Sequence, residues 1–403
     1  MAMQLKKVAS ASNAYFIALC VMGAFAILSS TMSKNPVLNP FAVSLGTPTD
    51  LTGIIAAAST IPGILISLPA ASLSDHIGRR KMLLFSAFIF ASAPFCYLLV
   101  ANWWQLAIVR FYHGFATAIF IPVAEATVAE QYPAKKGERI SAFNSATYVG
   151  RGIAPFLGGA ILFVTNYGFH TLYLAVGIAG VTAFIIGLLL LTKTKNATEP
   201  PKAKVTPRDM LRGWAKIAGN RGALVVSFVQ AGQYYVYGVM EFYLVQYMIQ
   251  VAGLNALAVS VVMGMQVVSL IVARPLLGRF SDRYSRRLPI VLGCTLSGAL
   301  ILSIPFTTEF AVLLAISLGY AVGFAMVVSS TSPLMCELTP SNLIGTSMGF
   351  LSTVMDIGQA LGPIISSIIL ASALAYMGLF SSLTLLLVLS GLVFLVSGLG
   401  HKK

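Results

Sequence analysis

Charge is scarce in this chain. Only 9% of its 403 residues are charged, and the acids are scarcer than the bases, 12 Asp and Glu against 26 Lys and Arg. A soluble globular domain carries about 25% charged residues, so a water-facing surface is hard to build from this composition. Cysteine is also sparse. Cys20, Cys96, Cys294 and Cys336 stand singly in or beside apolar blocks, without metal-ligand spacing, and read as small buried hydrophobes. No metal site is expected. His76, His113, His170 and His401 are scattered, and no nucleotide-binding P-loop is present. These absences argue against an enzyme and against ATP as the energy source, and no cofactor is expected. The first apolar block begins near Ala14 and is followed by Lys34 with no convincing small-residue cleavage site, so no cleavable leader is expected.

What is present is apolar surface, 57% of the residues, arranged in blocks. The stretch from Leu172 to Leu191 has no charged residue and is long enough to cross roughly 30 Å of hydrocarbon. A soluble alternative would have to bury about twelve such helices on all sides, against surface-to-volume scaling for this length. We place spans near 12–32, 50–73, 81–100, 104–128, 140–162, 171–192, 223–247, 256–276, 288–306, 310–335, 344–366 and 374–397. The net charge of +14 does not make a nucleic-acid face, because most of the basic residues fall in alternate short loops. Lys6, Lys7, Arg79, Arg80, Lys81, Lys135, Lys136, Arg139, the connector, Arg279, Arg283, Arg286, Arg287, Lys402 and Lys403 share one side, and the other side offers only Lys34. The positive-inside rule puts both termini and the connector in the cytoplasm of a multi-pass cell-membrane protein.

The connector is the longest polar stretch. Pro200, Pro201 and Pro207 disfavour a helix through its first part. Beyond Pro207, the residues Met210, Leu211, Trp214 and Ile217 share one helical face, with Arg208, Arg212 and Lys216 elsewhere. That pattern suits either a short helix on the anionic inner leaflet or a linker without fixed contacts.

The chain repeats itself. Ser74-Asp75-His76-Ile77-Gly78-Arg79-Arg80 is answered by Ser281-Asp282-Arg283-Tyr284-Ser285-Arg286-Arg287, and Gly114-Phe115-Ala116 by Gly323-Phe324-Ala325. Glu130 with Pro133 is answered by Glu337 with Pro340, and Gly150 with Pro155 by Gly358 with Pro363, all at offsets of 207 to 209. A duplicated six-helix unit follows: residues 1–192 and 223–403 form two bundles, joined by a connector at 193–222. Each copy crosses an even number of times, so the copies share orientation about a pseudo-two-fold axis along the membrane normal.

The loop Asp75-His76-Ile77-Gly78-Arg79-Arg80-Lys81, the fourth-span pair Arg110 and Gly114, and the fifth-span set Gly150, Ala154, Pro155, Gly158 and Gly159 resemble the major facilitator superfamily, within it the drug:proton antiporter branch. Ala71 and Ala154 stand where the family pattern has Gly, whereas the second-half loop keeps it as Gly278. The sugar-porter signature is absent. The resemblance spans the whole chain and implies an all-α membrane fold of two six-helix bundles. It also implies a cytoplasmic gate of Asp75, Arg79, Arg80, Glu130, Asp282, Arg286 and Arg287, with Glu130 within reach of the arginines. Independently, a carboxylate at a helix end, as at Asp75, suits exposed amides at a neighbouring helix N-terminus. Gly150, Pro155, Gly158 and Gly159, echoed by Gly358, Gly362 and Pro363, read as small-residue helix packing with a proline bend.

Ionisable groups inside spans cost at least roughly 2.5 kcal/mol at the helix centre and so mark sites. Arg110, Glu125, Arg151, Glu241 and Asp356 are the candidates. At about 1.5 Å per residue, Arg110 lies roughly 9 Å into the fourth span from outside, with Glu125 about 22 Å further along. Arg151 and Asp356 each lie about 17 Å from the cytoplasmic side, which makes them partners or separate contacts to one substrate. Glu241 stands near the outer end of its span, within reach of headgroups or water, and Arg274 reads as snorkelling to headgroups. Proton coupling needs a carboxylate whose affinity changes with its surroundings; Asp356 fits first, then Glu241, then Glu125. In the seventh span Gln230, Gln233, Tyr234, Tyr237 and Glu241 suggest a substrate cavity for amphipathic ligands, with Gln230, Tyr234, Tyr237 and Glu241 along one stripe.

The resulting expectation is a monomeric secondary transporter with membrane lipids, protons and a small molecule as partners. The leading reading is proton-coupled export of drug-like compounds. The alternatives are uptake or exchange of an anionic metabolite or movement of a lipid-like substrate, either using Arg110 and Arg151 for an anionic group, and a transport-inactive receptor or scaffold.

Overall fold

A computed structural model describes residues 2–193, 207–340 and 343–400. Among these residues the chain is all helix, with no strand. Ten helices are long and apolar enough to cross a membrane. Two further crossings complete the set of twelve. One is the third, Arg79–Tyr97, whose first turn is basic. The other is the seventh, which runs Arg221–Val239, then a π-helical turn Met240–Leu244, then Val245–Gln250.

The first six crossings are Ala2–Met32, the pair Thr52–Ala58 and Ile61–Ile77, Arg79–Tyr97, Trp103–Gln131, Lys136–Val164 and Phe169–Lys193. From the eighth on they are Ala256–Arg283, Arg287–Ser303, Phe310–Glu337, Ile344–Ala371 and Ala375–Val396. Large apolar side chains such as Phe85, Phe88, Ile178, Leu189, Leu385 and Val396 point outward, as a lipid-facing surface requires.

Local sequence explains the breaks. Pro62 sits at the start of Ile61–Ile77, where a missing N–H is tolerated but a continuous ladder from the preceding helix is not. The second span therefore turns at Ser59 and Thr60. The first span ends before Pro36, and the chain re-enters the protein as a short helix, Leu38–Ser44. Leu38, Asn39, Phe41 and Ala42 in that helix are buried, and mostly exposed residues begin only at 43–50. Tyr173 donates to the carbonyl of Ser33 at 3.3 Å and fixes the turn beside Lys34.

The repeat is visible in side-chain contacts. Arg79 bonds Ser74 and Glu130 in the first half, and Arg286 bonds Ser281 and Glu337 in the second, at identical spacings. Arg110 donates to Ser59, and Ser317 donates to Gln266, both across 51 residues. These pairs set the offset at 207 through the fourth and tenth spans. The Gly-Phe-Ala match is therefore out of register. Gly114 packs on the backbone of Ser59 in the second span, whereas Gly323 packs on Gly293 and Ser297 in the ninth.

The halves meet along two seams related by the same symmetry. In one, Gly159 of the fifth span lies against Ser260 and Ala256 of the eighth. In the other, Gly53 of the second span lies against the backbone of Pro363 in the eleventh, and Ser367 donates to the carbonyl of Asp50 at 2.8 Å. A Cβ at Gly53 or Gly159 would collide with those partners, so glycine permits the approach. These contacts lie at the end remote from the termini and close the molecule there.

Residues 194–206 of the connector lie outside the described part. Helix Pro207–Ala218 packs on the second half rather than standing free. Trp214 meets the ring of Phe350 edge-on at 5.8 Å, Gly213 abuts Thr346, and Ile217 is 3% exposed. Arg212 and Lys216 remain exposed.

Candidate functional site

Beneath the closed end lies a cavity between the halves. Lys34, Ser59, Thr60 and Arg110 of the first half line it with Gly238, Glu241 and Gln359 of the second. The turn in the second span aims Ser59 Oγ into this space, where it accepts from Arg110 Nη2 at 2.6 Å. Arg110 is 3% exposed, and its Nε has no acceptor. Among the described residues Arg110 has no ion-pair partner. Lys34 Nζ lies 3.1 Å from both Glu241 oxygens. Arg110 and Arg151 both act electrostatically on Lys34. Two cations, Lys34 and Arg110, thus line the cavity where the lining supplies one acid, Glu241. A buried guanidinium with a free donor is costly until an acceptor arrives, and this arrangement suits an incoming carboxylate or phosphate.

Glu241 therefore does not reach headgroups. It belongs to the π-helical turn, whose wider winding interrupts the regular ladder of the seventh span. Below that turn the predicted polar stripe diverges. Gln230 accepts from Thr331 at 2.6 Å, and Gln233 donates to Cys294 at 3.4 Å, both inside the second bundle. They do not line the cavity. Tyr237 stacks on Phe324 with centroids 5.0 Å apart, and Tyr234 meets the same ring edge-on. With Gln266, Val267, Leu270, Tyr320 and Ala321, Tyr237 and Phe324 line a smaller, largely apolar space.

Asp356 sits on one of the two seams. Its Oδ2 lies 3.1 Å from where a Cβ on Gly63 of the second span would stand, so the missing side chain makes room for the carboxylate. Among the described residues Asp356 has no ion-pair or hydrogen-bond partner, so of the two relations to Arg151 that equal depth allowed, direct pairing is not made. Arg151 instead lies 6.0 Å from the ring of Tyr148, its neighbour one helical turn back. On the other seam, Arg274 does not snorkel. It donates to Tyr148 of the opposite half at 3.1 Å and to Tyr234 at 3.4 Å. Glu125 accepts from Asn144 at 2.8 Å, far from the cavity, and does not approach Arg110.

The expected gate residues cluster at the termini end. Arg79 grips Glu130 at 2.5 and 3.2 Å. Arg286 grips Glu337 at 2.9 and 3.0 Å and also pairs with Asp282. Arg287 donates to the carbonyl of Leu395 at 3.0 Å. The side chain of Asp75 lies outside the described part, and Arg80 flanks Arg79 at the start of the third span. Gly150, Gly358 and Gly362 make close backbone approaches, to Ala24, Ala231 and Tyr235, whereas Gly158 packs on the side chains of Met32 and Val37. Pro155 and Pro363 lie inside the fifth and eleventh helices, and the carbonyl of Pro363 accepts from Tyr243 at 3.2 Å.

Lys34, Ser59 and Gln359 were missed by sequence reasoning as cavity residues. Lys34 had a signal: it stands 207 positions before Glu241, the repeat offset itself. Gln359 had one too, since it follows Gly358 as Arg151 follows Gly150.

Twelve crossings in two repeated halves, ten of them apolar enough by composition alone, with Lys34, Arg110 and Glu241 in a cavity between the halves, define a multi-pass membrane transporter. The chain belongs to the Major Facilitator Superfamily, whose sequence model matches residues 14–363; its family and fold are those of transporters, not enzymes. An uncharacterized MFS-type transporter of Methanocaldococcus jannaschii is 23% identical over 336 residues, 82% of this chain and 84% of that protein. The probable galactarate/D-glucarate transporter GarP of Escherichia coli K12 is 24% identical over 357 residues, 78% of each chain. Multidrug resistance protein MdtG of Enterobacter lignolyticus is 26% identical over 314 residues, 74% of this chain and 71% of that protein. Among solved structures, a bacterial homolog of the human lysosomal transporter Spinster superposes with a TM-score of 0.76 at 14% identity, covering 96% of this chain and 95% of that one.

Proposed function

We propose that this protein is a secondary active transporter of small organic anions, taken up or exchanged by alternating access. The observation that carries this reading is Arg110, buried with a free Nε beside Lys34 in the cavity between the halves. A cationic pocket discriminates strongly, because like-charged solutes meet repulsion in a low-dielectric site. The similarity to GarP, whose named substrates are dicarboxylates, supports the same class. Asp356 is the proton-coupling group of this reading. It is a carboxylate on a seam that must part and re-form in each cycle, with no fixed cation to hold it ionised. Asp75, Arg79, Arg80, Glu130, Asp282, Arg286 and Arg287 form the gate at the termini end. The protein sits in the cell membrane with that end in the cytoplasm and works as a monomer.

Proton-driven export of amphipathic drugs is the second reading. It is favoured by the similarity to MdtG and by the apolar space around Tyr237, Tyr320 and Phe324. Reconstituted vesicles with imposed pH or sodium gradients decide between the two. The anion reading expects gradient-dependent accumulation of D-glucarate, galactarate or another small carboxylate and no movement of cationic dyes. Dye transport without carboxylate transport would replace it with the drug reading.

A further inference from the structure

Lys34 and Glu241 are more than an ion pair between halves. They stand 207 residues apart, and so do Asn39 and Gln246, whose side chains bond at 3.1 Å. The same offset relates the Arg79 and Arg286 clusters and the Ser59 and Gln266 contacts. Residues related by a two-fold rotation can touch only if both lie beside the axis. The two pairs therefore mark where the turn and short helix that follow the first span meet the outer part of the seventh on the pseudo-two-fold axis, at the closed end of the molecule. Parting that end requires both pairs to separate.

Lys34 also lines the cavity with Arg110, and Glu241 is the one acid in that lining. Its two oxygens, each 3.1 Å from Lys34 Nζ, occupy the ammonium as a bound carboxylate would. A second carboxylate approaching Lys34 and Arg110 meets Glu241 as a like charge, and in a poorly screened site the two do not share one cation comfortably. The π-helical turn at Met240–Leu244 gives Glu241 a segment able to rewind when it lets go.

Building on the anion reading above, we infer that Glu241 is a tethered counter-ion: in the empty carrier it occupies Lys34 in place of the substrate's acidic group and latches the turn after the first span to the seventh span, and substrate displaces it. Substrate recognition and release of the closed end are then one exchange of partners at Lys34. The symmetry supplies an unusual test. Because the two positions are equivalent about the axis, K34E/E241K rebuilds the latch in mirrored form but moves the ammonium to the other half, away from Arg110.

The experiment uses the full-length protein in lipid nanodiscs. Cys20, Cys96, Cys294 and Cys336 are replaced, and spin labels are placed at T49C and A373C, exposed positions of the two halves at the closed end. E241Q is expected to lengthen the label distance, and K34E/E241K to return it to the short value. Binding of D-glucarate, succinate and inorganic phosphate is measured on the same samples. At least one of these anions should bind E241Q about tenfold more tightly than wild type and the swap about tenfold more weakly, as expected when a competing state is removed or the cation displaced. An unchanged distance in E241Q, or a swap as open as E241Q, overturns the latch. An anion that binds wild type and E241Q equally overturns the displacement while leaving the anion reading intact. If no anion binds either protein, the anion reading itself fails and the counter-ion role with it.

Discussion

In the first half Arg79 spans Ser74 and Glu130, and in the second Arg286 spans Ser281 and Glu337. The close approach of Gly150 to Ala24 returns as Gly358 to Ala231. Toward the cavity the correspondence stops. Arg110 answers to Ser317, Arg151 to Gln359, Asp356 to Tyr148, Arg274 to Ser67 and Lys34 to Glu241. A duplicated unit needs the same scaffold contacts twice, since each half folds on its own ladder of helices. It needs a substrate or proton site once. The positions where the halves disagree in charge are therefore the best guide to function, and those where they agree are the best guide to folding and gating.

That distinction is sharpest at Arg110 and Ser317. R110A removes a buried cation from the cavity and should lower kcat/KM for the transported anion by roughly 30-fold or more, the effect of about 2 kcal/mol or more per desolvated charge contact. S317A removes a neutral bond to Gln266 and should leave transport within about twofold, with a stability loss of about 1 kcal/mol. Uptake into vesicles at matched protein density measures both. Equal losses would mean that Arg110 is scaffold like its counterpart.

Much of this was legible in the sequence because membrane spans and repeats are written locally. The twelve blocks and the glycine-rich fifth and eleventh spans needed only periodicity, loop charge and one offset, and the Arg79 and Glu130 pairing followed from the family resemblance. What escaped depended on rotation and on long-range pairing. Lys34 reads as a loop charge until Glu241 is placed opposite it. Gln230 and Tyr234 share a stripe with Glu241 on an ideal helix, but the π-helical turn shifts the winding between Tyr237 and the following turn. Arg274 reads as snorkelling because depth alone does not show that its helix faces the other half. Gly114 and Gly323 match by spelling and not by position, an error that only the packing partners expose.

The second comparison sets Asp356 against Tyr148, the equivalent positions of the two seams. D356N keeps size and most hydrogen bonding but cannot carry a proton. It should reduce accumulation driven by a pH gradient by at least about tenfold while leaving exchange of labelled for unlabelled substrate measurable. Y148F removes one acceptor from Arg274 and leaves Tyr234 in place, so about 1 kcal/mol is at stake and gradient-driven transport should fall by less than about fivefold. Normal gradient-driven accumulation in D356N would take the proton role from Asp356. Glu241 would inherit it before Glu125, whose bond to Asn144 lies well away from the cavity.

The smallest expected effect lies where the halves agree, at the two gate arginines. Arg79 and Arg286 are similarly shielded, with side chains 18% and 15% exposed, but their partners are not: Glu130 is 22% exposed and Glu337 is 53% exposed. Exposed pairs are worth about 0.2–1 kcal/mol because water and salt screen them and both side chains lose freedom. R79A strands the more enclosed carboxylate and should sit near the top of that range. R286A leaves Glu337 and Asp282 to be hydrated and should sit near the bottom. In detergent the thermal midpoint should therefore drop further for R79A, and transport should fall by about two- to fivefold in that variant and by less in R286A. Raising the salt concentration should narrow the gap, since screening removes most of what distinguishes the two sites. A larger loss in R286A would show that the second-half cluster does more than repeat the first, and that the agreement between the halves at this end is one of form without equal use.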